Sequence, residues 1–262
     1  MNLRTRALVL RSVDFGESDR ILHLLLPDSG RQSVIAKGAR RSMKRFAGNL
    51  DYFNLLDVQI AQRRSTVMAR LDQASLVRSW APLRVSAARF ALGCYLLEML
   101  GRLAPEGGAR TETRRLFELT LTAFDVIAAR DPDARLRTLL ELRLLEALGL
   151  RPELSRCVRC SRTSEDPTVG FCIAEGGPVC VGCQDSVRDE LIKVHLGTLR
   201  ALDRSLRFSP DQLDRLALGR STLEEAGTLL ARFRHFHVGL ELKSEPFLDR
   251  ALGTGGGAQK PI

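Results

Sequence analysis

Five short β-prone runs follow one another in the first eighty residues, with one long loop between the third and the fourth. They cover residues 5–10, 21–26, 32–37, 53–61 and 67–77. In the second run Leu22, Leu24 and Leu26 share one face while Ile21, His23 and Leu25 share the other, the period-two alternation of a strand. Pro27-Asp28-Ser29-Gly30 is turn chemistry, with Pro and Asp early and Gly at the exit. Strands this short cannot bury a face alone, so they close into a small antiparallel barrel or sandwich. The five-stranded OB-fold β-barrel has this strand count. Pattern alone does not separate it from an SH3-like barrel.

The long loop is basic and nothing else. Arg31, Lys37, Arg40, Arg41, Lys44 and Arg45 lie between Ser29 and Leu50 without one acidic residue among them. The imbalance is regional: residues 1–80 hold fourteen Lys and Arg against seven Asp and Glu, so seven of the nine net positive charges sit there. Charge this polarised favours nucleic acid, an anionic membrane or an acidic protein as partner. Cations on a mobile loop can follow a phosphate backbone without choosing a sequence. Lys37, Arg40, Arg41, Lys44 and Arg45, with Arg31 at the strand end, are therefore the candidate phosphate contacts; the competing account is a solvated loop whose charges serve solubility. Single-strand binding also uses aromatic stacking, and the aromatics near the loop are Phe46, Tyr52 and Phe53. Phe53 reads as core, which leaves Phe46 either to stack on a base or simply to pack. Asp14, Glu17 and Asp19 read as a capping, solvated turn rather than a nuclease metal site, because no further carboxylate cluster or histidine completes one.

At Trp80-Ala-Pro-Leu the period changes to that of helices. Residues 86–103 and 111–130 read as two of them, and Asp131-Pro132 as the N-cap and first residue of a third. That third helix carries Leu136, Leu139, Leu140 and Leu144 on one stripe and stops at Gly149. Helices resume around residues 190–207, and capping boxes at Ser209 and Ser221 open two more, the second being the last. The chain is thus an α+β multidomain protein. Its β module spans 1–80, an α-helical bundle spans 81–252 with an insert at about 154–187, and a disordered glycine-rich tail covers 253–262. No run approaches the roughly 18 apolar residues of a membrane span, and no signal-peptide core follows Met1. A cytoplasmic protein without membrane attachment is expected.

The insert carries Cys157-Val-Arg-Cys160 and Cys180-Val-Gly-Cys183, with nineteen residues between the pairs. Two Cys-x-x-Cys pairs at this spacing are a four-thiolate zinc pattern, and in a reducing compartment clustered thiols hold metal more often than they pair. Four protein ligands leave no open position, so the expected Zn2+ is structural. Gly170-Phe-Cys-Ile and Gly176-Gly177 read as a small hairpin inside it. Cys172 reads as a strand residue and Cys94 as a core residue of the first long helix. His235 and His237, two apart on a helix, are poor joint ligands. Neither a Walker-type phosphate loop nor a catalytic triad is visible, so no enzyme activity is expected.

Ala7-Leu-Val-Leu-Arg11, Gly16-Glu-Ser-Asp-Arg-Ile-Leu22, Asp28-Ser-Gly-Arg31, Ala36-Lys-Gly-Ala-Arg-Arg41 and Phe53-Asn-Leu-Leu56, followed by the four cysteines, resemble the RecO recombination-mediator family of DNA repair. The resemblance covers all but the glycine-rich tail. It implies an N-terminal OB-fold, a helical bundle and a zinc element, and a nucleoid-associated place in the cell. It also implies binding to single- and double-stranded DNA and annealing of complementary strands, including strands coated by single-stranded DNA-binding protein. With the partner RecR, it implies loading of the RecA recombinase. The family takes the acidic, apolar tail of single-stranded DNA-binding protein on its helical part; Arg200, Arg204 and Arg207, with Arg232 and Arg234, could form such a basic rim or an ordinary wet face. The alternative from another class is a zinc-containing RNA-binding or transcription-associated protein built on the same barrel.

Overall fold

The computed structural model describes residues 2–42, 44–46, 49–61, 68–209, 212, 216–239 and 241–253. Met1–Asp131 with Leu242–Ile262 form one compact unit, and Pro132–Glu241 form a second.

The first unit begins with β1 (Asn2–Phe15), β2 (Asp19–Leu26), β3 (Gly30–Ala36), β4 (Asn54–Ala61) and β5 (Ala69–Ser79). They form a closed barrel in the order β1-β2-β3-β5-β4, with β4 pairing back to β1 and β3 meeting β5 in parallel. Of the barrel and sandwich that the strand runs leave open it is the barrel, of the OB type that the family resemblance implies, with the β3–β5 pair parallel where all pairs are expected antiparallel. β1 serves two neighbours because it is fourteen residues long and a bulge between Val9 and Arg11 bends it. Ala7 and Val9 of β1, Leu22, Leu24 and Leu26 of β2 and Val34 of β3 point into the barrel and are buried there. Leu8, Leu25 and Leu55 face the other way and are buried as well, because helices lie against that side.

Those helices are α1 (Pro82–Val85), α2 (Ala87–Leu103) and α3 (Arg110–Ala129). Gly30 makes the joint possible. It sits at φ +69°, and a Cβ there would lie 2.3 Å from the Pro105 carbonyl oxygen; only glycine permits both. Arg31 N–H donates to that same carbonyl at 2.8 Å, and the Thr113 hydroxyl donates to Pro27 O at 3.0 Å. Phe53 meets Phe90 and Phe124 edge-on, and Trp80 donates its indole N–H to Asp125 at 2.7 Å. A last helix, α8 (Glu245–Leu252), belongs to this unit too: Glu98 of α2 accepts from Lys243 N, Ser244 N and Ser244 Oγ at 3.0, 2.8 and 2.6 Å.

The second unit holds α4 (Ala134–Ala147), β6 (Thr168–Cys172), β7 (Gly177–Val179), α5 (Val181–Gln184), β8 (Leu191–His195), α6 (Leu196–Ser205) and α7 (Arg220–Val238). The three strands form one sheet in the order β7-β6-β8. Glu141 of α4 and Arg234 of α7 make a buried ion pair at 2.7 Å, costly to desolvate and costlier to break from one side.

Four expectations need correction. The N-cap of α4 is Asp133, not Asp131: its carboxylate accepts from Leu136 N at 2.7 Å, whereas Asp131 pairs with Arg89 at 3.1 Å. Residues 191–195 are strand rather than helix, since Leu191, Ile192 and Val194 complete the sheet against β6. Ser221 does not cap α7; Gly219 does, and Glu224 pairs instead with Arg220 at 2.9 Å. That helix is not the last, because α8 follows it. The expected cap at Ser209, the start of the fifth β-prone run at residue 67 and the tail from 254 lie wholly or partly outside the described residues.

Candidate nucleic-acid interface and metal centre

The basic loop leaves β3 and is braced against the hairpin tip between β1 and β2. Lys37 Nζ reaches Asp19 Oδ2 at 2.8 Å, and Gly38 N–H donates to Asp19 Oδ1 at 2.8 Å. The Gly38 amide first, then Lys37, holds the Asp19 carboxyl down to about 2. Arg40 N–H donates to Ser18 O at 3.0 Å, its guanidinium donates to Glu17 O at 3.2 Å, and Asp14 lies 3.6 Å from its Nε. At the far end Arg45 donates to Lys37 O at 2.7 Å and accepts from Ala74 N at 3.0 Å. Lys37, Gly38, Arg40 and Arg45 are therefore tied to the barrel rim or to one another. The loop's cations stay outward: Lys37, Arg40, Arg41, Lys44 and Arg45 are exposed. The side chains of Arg41 and Lys44 form no ion pair with a described residue.

Arg31 has another employment. Its guanidinium donates to Gly101 O at 2.6 Å and pairs with Glu106 at 3.0 Å, so it ties β3 to the last turn of α2 and to the segment after it. Phe46 is also not available to a base. It is 1% exposed and closes the barrel with Leu50, because an open barrel end needs an apolar plug. The acids of the hairpin tip serve the cations: Asp14 pairs with Arg20 at 2.9 Å, and Asp19 orients Lys37. His23, on the outer face of β2, is held below its usual range by burial and by Arg11 and Arg31.

The second candidate site lies in the second unit. The four sulfurs of Cys157, Cys160, Cys180 and Cys183 lie within 4.8 Å of one another. Sulfurs around one tetrahedral ion at about 2.3 Å would stand roughly 3.8 Å apart, and the Cys160–Cys180 pair is at 3.5 Å. Cys180 N–H points at Cys157 Sγ, 3.5 Å away. Burial pushes the Cys157 thiol up, but backbone N–H groups of Cys180, Cys160 and Arg159 outweigh it and bring it down to about 6. Cys183 is pushed up to about 12 by shared hydrogen bonds with Cys180 and Cys160; a cation among them would favour all four thiolates. Gly177 lets the first pair pack on the hairpin, since a Cβ there would meet Val158 Cγ1 at 2.4 Å. Arg159 latches the element, pairing with Glu175 and donating to Ser186 O at 2.7 Å. Cys172 is buried in β6 outside the cluster, and His237, also outside it, donates Nε2–H to Ile173 O at 2.7 Å. These four cysteines can hold a metal ion.

Two family models cover nearly the whole chain: Recombination protein O N terminal over residues 1–80, and Recombination protein O C terminal over 84–246. The chain belongs to the RecO family. It is 35% identical over 250 residues to the DNA repair protein RecO of Anaeromyxobacter sp. (strain K), covering 94% of this chain and 96% of that one. The DNA repair protein RecO of Symbiobacterium thermophilum is 32% identical over 244 residues, covering 92% and 94%. RecO is a family of DNA repair and recombination proteins, and no helix among the described residues of this member is long and apolar enough to cross a membrane.

The structure of this RecO-family chain also gathers residues that the sequence left scattered. Arg200 and Arg204 of α6, with Arg207 just beyond it, line a cleft of about 430 Å³ whose apolar wall is Leu154, Leu196 and Phe208. Asp203 shares the rim and holds Arg207 at 3.3 Å. Leu154 is 42 residues before Leu196, so no local pattern announces the cleft.

Proposed function

We propose that this chain is a non-catalytic recombination mediator. It binds single- and double-stranded DNA through Lys37, Arg40, Arg41, Lys44 and Arg45, and it anneals complementary strands, including strands coated by single-stranded DNA-binding protein. With RecR it promotes RecA loading. One observation supports this reading above the others: an acid-free run of exposed cations is anchored by its backbone to the β1–β2 tip of an OB-type barrel. A backbone tied in place lowers the entropy lost when its cations meet phosphates, and such contacts read no sequence. Arg31, already bound to Gly101 O and Glu106, contributes to the field more than to contact.

The four cysteines would hold one structural zinc ion, which supplies folding energy to a segment too small for its own core. The cleft beside Arg200 and Arg204 suits the acidic, apolar tail of single-stranded DNA-binding protein, with cations at the rim and Phe208 in the wall.

Strand annealing without ATP tests the reading. The unaltered chain should speed annealing of complementary oligonucleotides, and Arg40→Glu with Arg41→Glu should lower that rate at least tenfold while the thermal transition stays in place. Undiminished annealing by the folded double variant would refute the loop assignment. Cleaved product would instead favour a nuclease, and RNA-only binding a transcription-associated protein.

A further inference from the structure

The barrel carries five aromatic residues, and four of them are spoken for. Phe46, Phe53 and Trp80 are buried at 1%, 0% and 2%, and Tyr52 is half-buried against Phe53. The fifth, Phe15, is 51% exposed at the last position of β1. A phenylalanine on a strand end facing water costs solubility and gains nothing in the core.

Register places Phe15 beside the cationic loop. Phe15 pairs with Asp19 across β1 and β2, and directly opposed residues of an antiparallel pair point to one face. Asp19 in turn holds Lys37, which follows β3 on that same face. One row further along, Val13, Ile21 and Ile35 are opposed across the three strands, with Val13 37% exposed and the two isoleucines half-buried. Beyond them lie Arg11, His23 and Ser33. The outer face of β1–β2–β3 is thus an aromatic ring and an apolar step, with Lys37 and Arg40 at one end and Arg11 at the other.

We propose that Phe15 is the base-stacking platform of this chain, and that it makes the barrel favour unpaired over paired DNA. Cations alone bind both forms, because both offer phosphates. A ring can stack only on a base whose face is free, and in a duplex those faces are already covered. Val13, Ile21 and Ile35 extend the apolar floor that such a base leaves towards Arg11. The inference rests on the DNA-binding reading and adds to it the side chain that separates single strands from duplex.

The test uses the full chain with three variants and three ligands: oligo-dT, an abasic strand of equal length, and a duplex. Phe15→Leu should weaken oligo-dT binding about tenfold, within the range that a single stacked base contributes, and leave duplex and abasic binding unchanged. Phe15→Trp should restore oligo-dT binding, and its emission should be quenched by oligo-dT but not by the abasic strand; the native Trp80 is buried and serves as the background. Equal losses on duplex and oligo-dT, no loss on either, or an unquenched Phe15→Trp that still binds would each overturn the proposal. Arg41→Glu should weaken all three ligands, so the charge contribution is read separately. If the unaltered chain binds neither DNA form, the DNA-binding reading falls and this inference with it.

Discussion

Asp19 accepts from Gly38 N–H and Lys37 Nζ, and its carboxyl is held down to about 2 as a result. The folded value lies below the unfolded one, about 3.9. The tether's contribution is therefore complete above that unfolded value and is lost as pH falls through about 2. The Gly38 amide shift in an NMR titration should follow that low midpoint; a midpoint near 4 would mean that the carboxylate does not hold the loop. Single residues were unevenly legible in the sequence. Phe53 reads as core because it opens an apolar run, and it is core. Phe46 reads equally well as a base platform, since proximity in sequence to cations says nothing about which way a ring turns; it plugs the barrel instead. Phe15 drew no notice because it sits 22 residues before Lys37, and only strand register brings them to one face.

At the scale of elements, the cysteine insert was the most legible part, because four ligands to one ion impose a spacing that survives without context. The hairpin of β6 and β7 follows from its glycines. β8 is not legible because five residues are too few to declare a period, and its partner β6 lies 19 residues before it, from Cys172 to Leu191. α8 is not legible as a separate element because its place is fixed by Glu98, far back in α2. The insert makes its own prediction. Purified protein should carry one zinc per chain, and a strong chelator at neutral pH should open new protease sites between Glu153 and Val187. In isolated finger peptides such sites are worth roughly 10–16 kcal/mol of apparent folding energy, so the change should be all-or-none. Unaltered proteolysis after metal removal, verified by elemental analysis, would mean that hairpin packing and the Arg159 latch suffice.

For the whole molecule, the charge distribution is readable from the first eighty residues, whereas the strand pattern leaves barrel and sandwich open and only the family resemblance implies the OB barrel. What the sequence did not reveal is that the loop is pinned. Its anchors are the Asp19 carboxylate, which reads in sequence as an ordinary turn acid, and backbone carbonyls of Glu17, Ser18 and Lys37, which have no side-chain signature. Under the proposed annealing role, the backbone ties at Gly38 and Arg40 reduce the entropy lost when these cations meet phosphates. The central claim is that this row grips phosphates, and the dependence of single-strand affinity on salt tests it most directly. Five phosphate contacts predict a slope of log affinity against log salt of roughly −3.5, at about 0.7 per contact. Arg41→Ala with Lys44→Ala should make that slope shallower by about 1.4, two contacts' worth. A flat slope in the unaltered chain, or one that the double variant leaves unchanged, would contradict the account.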